Sequence, residues 1–407
     1  MKYYIFITYG IQGVGGGQCY VAGKAKYLES IGWKVIVFSE GYHRSPKDCP
    51  IDYLNKYKKY LLPELSYPLF CLPRLLTNST LRSMKQMVGE VHDEDEIVIE
   101  SHDDLTALWG ELLAKTLNGK HYIYTLNERY RGTDKFYEDK IDFYLFKFDR
   151  GEILSSPIIL NRLFEGYRIV KDDEVEPLLI DEDPVQDVVN EKVENLKKYD
   201  FNICYIGRTV KPYFPNIAKG IGDFAITQSS KTVQFVIVGD VDARREIIQN
   251  TKDQAPNIVV TELGTLHPLP RSLFSKVDVV IAGSGSARCS VEEGTLTIVA
   301  DPESKSALGI LGYDTNNSVY RDEDSVVTSF SEALNRVLIN KVYQHMHFKY
   351  PHKLGVSECT KQNFRLMEKS DNNKLYYDER KLTAGTVNLR MLMCLVVQKI
   401  RFSLRYV

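Results

Sequence analysis

The chain has 407 residues, 43% of them hydrophobic and 26% charged, which is too long for one ordinary core, so two domains are expected. Its 52 Lys and Arg nearly balance 54 Asp and Glu, and a net charge of −2 argues against a nucleic-acid partner. Seven scattered cysteines with no Cys-x-x-Cys pair argue against a disulfide framework or a zinc ribbon and suit a reducing cytosol.

The first predicted strand, Tyr3 to Thr8 (YYIFIT), is only a strand long and has no basic segment before it, so no signal peptide and no transmembrane helix are expected. It runs into Gly10, Gly13, Gly15, Gly16 and Gly17, then a helix-like stretch (QCYVAGKAKYLESIGWK) and a second strand at Val35 to Phe38. Bare backbone at a helix start offers N–H groups and the positive helix end to an anion, so Gly15, Gly16 and Gly17 are expected to contact a substrate sugar or phosphate. A dinucleotide fingerprint from Gly13 would need glycine at position 18, where Gln18 stands.

Strands are predicted at 97–100 (IVIE) and 121–125 (HYIYT). Between them the apolar spacing of DLTALWGELLAKTL predicts a helix over about 104–117 that stops at Gly119. Catalytic groups gather at carboxyl strand ends. His102, within Ser101-His102-Asp103-Asp104, and Glu128, within residues 125–129, are therefore candidate acid/base or acceptor-contacting residues. The acidic stretch 172–187, with its two prolines, reads as the interdomain region.

A second alternation of strands and helices follows, with strands at 201–206, 233–238, 258–260, 277–282 and 297–300, and predicts a second parallel doubly wound sheet. Ligands of such sheets bind beyond the carboxyl strand ends, so the cleft between two of them is the expected site. The strand 201–206 ends in Gly207-Arg208, with Lys211 and then Lys219-Gly220 at a predicted helix start. Two cations at one strand end neutralise the phosphates of a leaving nucleoside diphosphate, with either Lys211 or Lys219 partnering Arg208. The strand 277–282 ends in Gly283-Ser284-Gly285-Ser286 at another helix start, an anion site made of hydroxyls and N–H groups. Glu292 and Glu293, about two turns on, either hold ribose hydroxyls or are exposed helix charges. His345, His347, His352 and Cys359 fit no metal-ligand spacing, so no metal site is expected. The last segment, 387–407, carries Arg390, Lys399, Arg401 and Arg405 and no acid, with the three arginines on one helical side and Lys399 opposite. It reads either as a basic amphipathic helix for an anionic membrane surface or as a terminal helix packed on the body.

Together these pieces resemble a GT-B glycosyltransferase near family 4 of the retaining enzymes, over roughly residues 1–340. The resemblance is carried by GVGGGQCYVAGKAKYLESIGWKV in the first half, and by YIGR…KG, VIVGD and VDVVIAGSGSA…EEGTLTIVAD in the second. It implies an α/β fold of two Rossmann-like doubly wound domains facing across a cleft: an acceptor domain at 1–178, a nucleotide-sugar domain at 179–345 and a helical tail at 346–407. It further implies metal-independent, cofactor-free transfer of a hexose from a nucleotide sugar to a glycan or lipid-linked acceptor. The product would be a surface polysaccharide, made in the cytoplasm or at the inner membrane face. Gly15, Gly16 and Gly17 would match the loop that approaches the sugar, Arg208 and Lys219 the diphosphate pair, and Ser284 and Ser286 the phosphate-facing helix start. The chain departs from the pattern at the family's two glutamates: the second falls on Cys289 or Ser290, the first on Ile281 or Ala282, and Glu292 and Glu293 stand a turn late. Asn127 replaces the family's histidine. Two other readings therefore stand beside the transferase: a degenerate GT-B module that binds nucleotide or glycan for a partner enzyme, and a sugar-nucleotide epimerase.

Overall fold

The computed structural model describes residues 1–40, 49–67, 69–125, 140–155, 157–171, 185–321, 325–346, 348, 356–369, 375–383 and 389–403. Glu128, Asn127 and most of the stretch 172–187 lie outside the described residues. The chain divides into two compact units, Met1–Glu182 with Leu354–Val407, and Asp183–Lys353. The C-terminal segment thus returns to the first unit.

In that unit β1 (Lys2–Thr8), β2 (Lys34–Ser39), β3 (Glu96–His102), β4 (Lys120–Tyr124) and β5 (Ile153–Leu154) form one parallel sheet in the order β2-β1-β3-β4-β5. Ile5 lies opposite Ile36 on one side and Ile99 on the other. Strand side chains alternate between faces, so Tyr3, Ile5 and Ile7 join a core with Trp109 and Leu113, while Tyr4 and Phe6 join another with Val21 and Leu28. A parallel sheet needs this cover on both faces. The helix Gly16–Ser30 supplies part of it through Tyr20, Val21, Lys24, Ala25 and Leu28, which recur at helical spacing on its buried side. It stops where Gly32, at φ 90°, lets the amides of Gly32 and Trp33 turn back to Glu29 and Leu28 carbonyls at 3.1 and 3.0 Å. The C-terminal segment adds to it: Phe364, in the helix Val356–Lys369, stacks on Trp33 with centroids 5.5 Å apart, and the Tyr122 hydroxyl donates to the Met367 carbonyl at 3.0 Å.

The second unit holds β6 (Val185–Gln186), β7 (Phe201–Ile206), β8 (Val233–Val238), β9 (Ile258–Gly264), β10 (Leu269–Pro270), β11 (Val279–Ala282), β12 (Thr297–Ala300) and β13 (Ala307–Ile310). Six of them form a sheet in the order β13-β12-β11-β7-β8-β9, antiparallel only at β13, while β6 and β10 pair apart. Ile203 and Tyr205 face one core, Cys204 and Ile206 the other. Both units are thus α/β with doubly wound sheets, and in each the strand order reverses beside the first strand, between β1 and β3 and between β7 and β11. Those two reversals are where such folds open a crevice for ligands.

Candidate functional site

At the first reversal the glycine loop follows β1. Gly15 caps the helix Gly16–Ser30 in an extended conformation with no side-chain cap, so the helix meets its surroundings with backbone alone. The loop is pinned from β2: the Gly10 amide donates to Glu40 Oε1 at 3.2 Å, the Ile11 amide to Ser39 Oγ at 3.2 Å, and Ser39 Oγ to the Tyr9 carbonyl at 2.9 Å. Burial raises the Glu40 pKa, opposed by the hydrogen bonds it accepts from Ser66 and the Gly10 amide. Gln18 Nε2 closes the loop on the Gly10 carbonyl at 2.6 Å.

Beneath this loop lies a charged cluster of which sequence reasoning singled out only His102. Glu100, near the end of β3, accepts from Lys24 Nζ at 2.6 Å, Tyr4 OH at 2.5 Å and Tyr20 OH at 3.0 Å. His102 is fully buried, its Nε2 3.0 Å from Glu100 Oε1 and its Nδ1 2.7 Å from Thr8 Oγ1. Burial pushes the Glu100 carboxyl up, but Lys24 and His102 outweigh it and hold the pKa down at about 2. Burial lowers Lys24 against the pull of Glu100, and burial with Glu100 raises both tyrosines. Both ring nitrogens of His102 are thus engaged within the protein. Two signals in the sequence pointed here: a glutamate directly after the apolar run Ile97-Val98-Ile99 of β3, and Tyr20 with Lys24 at i, i+4 on the buried helix face.

The second reversal is built differently. The turn after β7 is fixed from inside, with the Tyr205 hydroxyl donating to the Arg208 carbonyl at 2.9 Å, the Lys211 amide donating to that carbonyl at 3.1 Å, and Thr209 Oγ1 donating to the Asp240 carbonyl at 2.5 Å. Gly239 lets two turns touch, since a Cβ there would sit 2.1 Å from the Gly207 carbonyl oxygen. The Arg208 side chain is exposed and makes no hydrogen bond or ion pair among the described residues. Beside it, past β11, the helix Ser284–Glu292 begins. Its cap is Gly283, which offers no side chain, and a Cβ there would lie 3.2 Å from the Tyr213 hydroxyl. Ser284 holds φ 55° and donates its amide to the Ser318 carbonyl at 2.6 Å; Ser284, Gly285 and Ser286 are half-buried. The arrangement offers a cation, two hydroxyls and a positive helix end, the chemistry of an anion site.

The sequence candidates therefore sort by place. Gly15, Gly16 and Gly17 gather with His102 at the first reversal. Gly207, Arg208 and Lys211 gather with Gly283, Ser284, Gly285 and Ser286 at the second. Lys219 stands elsewhere than expected: its helix, Phe214–Thr227, opens five residues earlier because Pro215 suits a first turn, leaving Lys219 exposed in the second turn. Gly220 after it serves packing, since a Cβ there would lie 2.6 Å from Phe330 Cβ. Glu292 and Glu293 close the helix that Ser284 opens, and nine residues at ~1.5 Å each separate them from its start by roughly 13 Å. Glu293 is paired there with Arg271, Nη1 to Oε1 at 2.5 Å, and Arg271 also holds Asp187.

No protein-family model matches the chain, and no curated protein matches it in sequence. Solved structures do match in fold. A glycosyltransferase from Rickettsia africae superposes with a TM-score of 0.57 at 13% identity, covering 98% of this chain and 99% of that one. A UDP-GlcNAc 2-epimerase from Neisseria meningitidis, bound to UDP-GlcNAc, gives 0.54 at 14% over 91% and 100%. The Anabaena protein HepE, in complex with UDP and glucose, gives 0.54 at 11% over 91% and 95%. The fold is GT-B, with two Rossmann-like domains.

Proposed function

We propose that this chain transfers a sugar from a nucleoside-diphosphate donor to a glycan or lipid-linked acceptor of surface polysaccharide synthesis, at the inner face of the cell membrane. The observation that carries the reading is the second reversal, where an exposed Arg208, with no hydrogen bond or ion pair among the described residues, stands beside a helix start whose cap has no side chain. A diphosphate leaving group gathers negative charge as its bond to the sugar breaks. Arg208 meets that charge with a bidentate fork, and the Ser284 and Ser286 hydroxyls with the first amides of their helix meet it from the other side. Lys211, whose amide is already bonded to the Arg208 carbonyl, or Lys219, one helix further on, supplies a second cation. No step in this scheme needs a metal ion. The departing diphosphate takes the acceptor's proton in a retaining, front-face reaction. Two of the similar structures hold UDP or a UDP-sugar, which makes UDP the first nucleotide to test.

A second reading, a module that binds a nucleotide or glycan without turnover, is favoured by one observation. The first turn of the helix Ser284–Glu292 contains no acid, so no carboxylate stands there to hold a ribose. One assay separates the readings. Purified protein is incubated with a panel of UDP-sugars and scored for UDP release. Release that disappears in Arg208→Ala supports transfer, nucleotide binding without release supports the module, and an inverted sugar in the products would make it an epimerase.

A further inference from the structure

The helix Leu389–Ser403 belongs to the first unit. Leu395 is fully buried in that unit's core, and Met391 packs half-buried against it. The other side is also apolar: Leu389, Met393, Val396 and Val397 are 69%, 62%, 49% and 47% exposed. At about 100° per residue, Leu389, Met393, Val396 and Val397 form one row turned away from Leu395, with exposed Arg390 flanking it. A helix serving only its own protein turns a polar face outward, and a contiguous row of large apolar side chains marks a surface that meets something else.

Charge identifies that something. Residues 384–407 contain Arg390, Lys399, Arg401 and Arg405 and no acid. Taking those four from the chain's 52 Lys and Arg leaves 48 against 54 acids, so the rest of the molecule stands at −6. An acidic body is repelled by an anionic surface, and this cationic, apolar edge is the part able to approach one. Among the described residues, no helix is long and apolar enough to cross a membrane, so a helix of this kind lies along the interface. We infer that the outward row of the helix Leu389–Ser403 seats this chain on an anionic phospholipid surface, Leu389, Met393, Val396 and Val397 entering the acyl boundary while Arg390 beside them meets the headgroups. The inference deepens the proposed function, on which it rests only for a membrane-held acceptor.

The test is co-sedimentation of the full chain with phosphatidylcholine vesicles, with and without phosphatidylglycerol. Binding is expected only with phosphatidylglycerol, weakening about tenfold or more from low to high salt. Met393→Asp with Val397→Asp is expected to weaken it at least about tenfold, and Arg390→Glu severalfold, all with unchanged melting temperatures because these side chains face solvent. The inference is overturned if the wild type does not sediment with phosphatidylglycerol vesicles, if the double variant binds them equally, or if light scattering shows a wild-type dimer that the double variant dissolves, which would make a second copy the occupant. UDP release in vesicle-free buffer is expected to be unchanged in the double variant, so failure of this inference and failure of the transferase reading are read separately.

Discussion

The two units place opposite kinds of chemistry at the same topological position. At the first reversal the charges are buried and satisfied by one another: Lys24, Glu100 and His102 are all almost wholly hidden. A second buried cluster lies in the same unit, where Glu111 Oε2 meets His121 Nδ1 at 2.7 Å and Lys147 at 3.0 Å, and Lys147 meets Glu152 at 2.5 Å. In the second unit the buried polar side chains among the described residues are neutral apart from Asp301, and the cation at the reversal, Arg208, lies open. Groups already paired in a low-dielectric interior hold a shape, whereas groups left open are available to a ligand. The first reversal therefore fixes a loop, and the second is able to receive an anion.

Acid is expected to act most strongly, and through the first unit. Burial and Lys147 hold the His121 pKa at about 4, below its ordinary 6.5, so the unfolded chain takes up a proton first as pH falls, and stability is lost from pH 6.5 down to about 4. Burial raises Glu100 and Glu111, but their cationic partners outweigh it and hold both at about 2 against an ordinary 4.5. Their contribution is present above pH 4.5 and is lost from there down to about 2. Thermal melts across this range should decline continuously below pH 6.5. Hydrogen exchange that instead opened the second unit first would break the comparison. Next in size is Lys24→Met, which strands the Glu100 charge and is expected to cost about 3–5 kcal/mol in a denaturant titration, partly recovered by adding Glu100→Gln.

Arg208→Ala is expected to do the reverse. A side chain that is exposed and has no partner among the described residues contributes little to folding, so stability should stay within about 0.5 kcal/mol of wild type. UDP release from a UDP-sugar should fall about a hundredfold, the scale for removing one charge-stabilising donor. If Arg208→Ala instead unfolds the protein while release per folded molecule is kept, the open cation is structural and the contrast between the units dissolves.

How much of this was legible depended on how local its cause is. The long strands of both sheets were legible as apolar runs, three of them stopped by glycine at Ile206-Gly207, Val238-Gly239 and Ala282-Gly283, whereas the two-residue strands β5, β6 and β10 and the antiparallel β13 went unread because runs that short carry no pattern. The partnership of Lys24 with Glu100 spans 76 residues and exists only once the helix Gly16–Ser30 lies on the sheet. The capture of Glu293 by Arg271 likewise joins different elements, so no spacing announces it. The start of the helix Phe214–Thr227 was readable from Pro215, yet the Lys219-Gly220 pair drew the boundary too late.

The smallest expected effect divides strain from binding within one residue. Ser284 holds φ 55°, a region that costs a side-chain-bearing residue about 1–2 kcal/mol, while its amide is tied to Ser318. Ser284→Gly removes the steric cost but loosens the unfolded chain, so a net gain of up to about 1 kcal/mol is expected. It also removes a hydroxyl from the proposed anion site, so UDP affinity by calorimetry should fall severalfold. Ser284→Ala removes the same hydroxyl and keeps the strain, so it should match the loss in affinity without the gain in stability. Equal affinity in all three proteins would leave Ser284 a turn residue only, and the anion site would then rest on Arg208 and the helix amides alone.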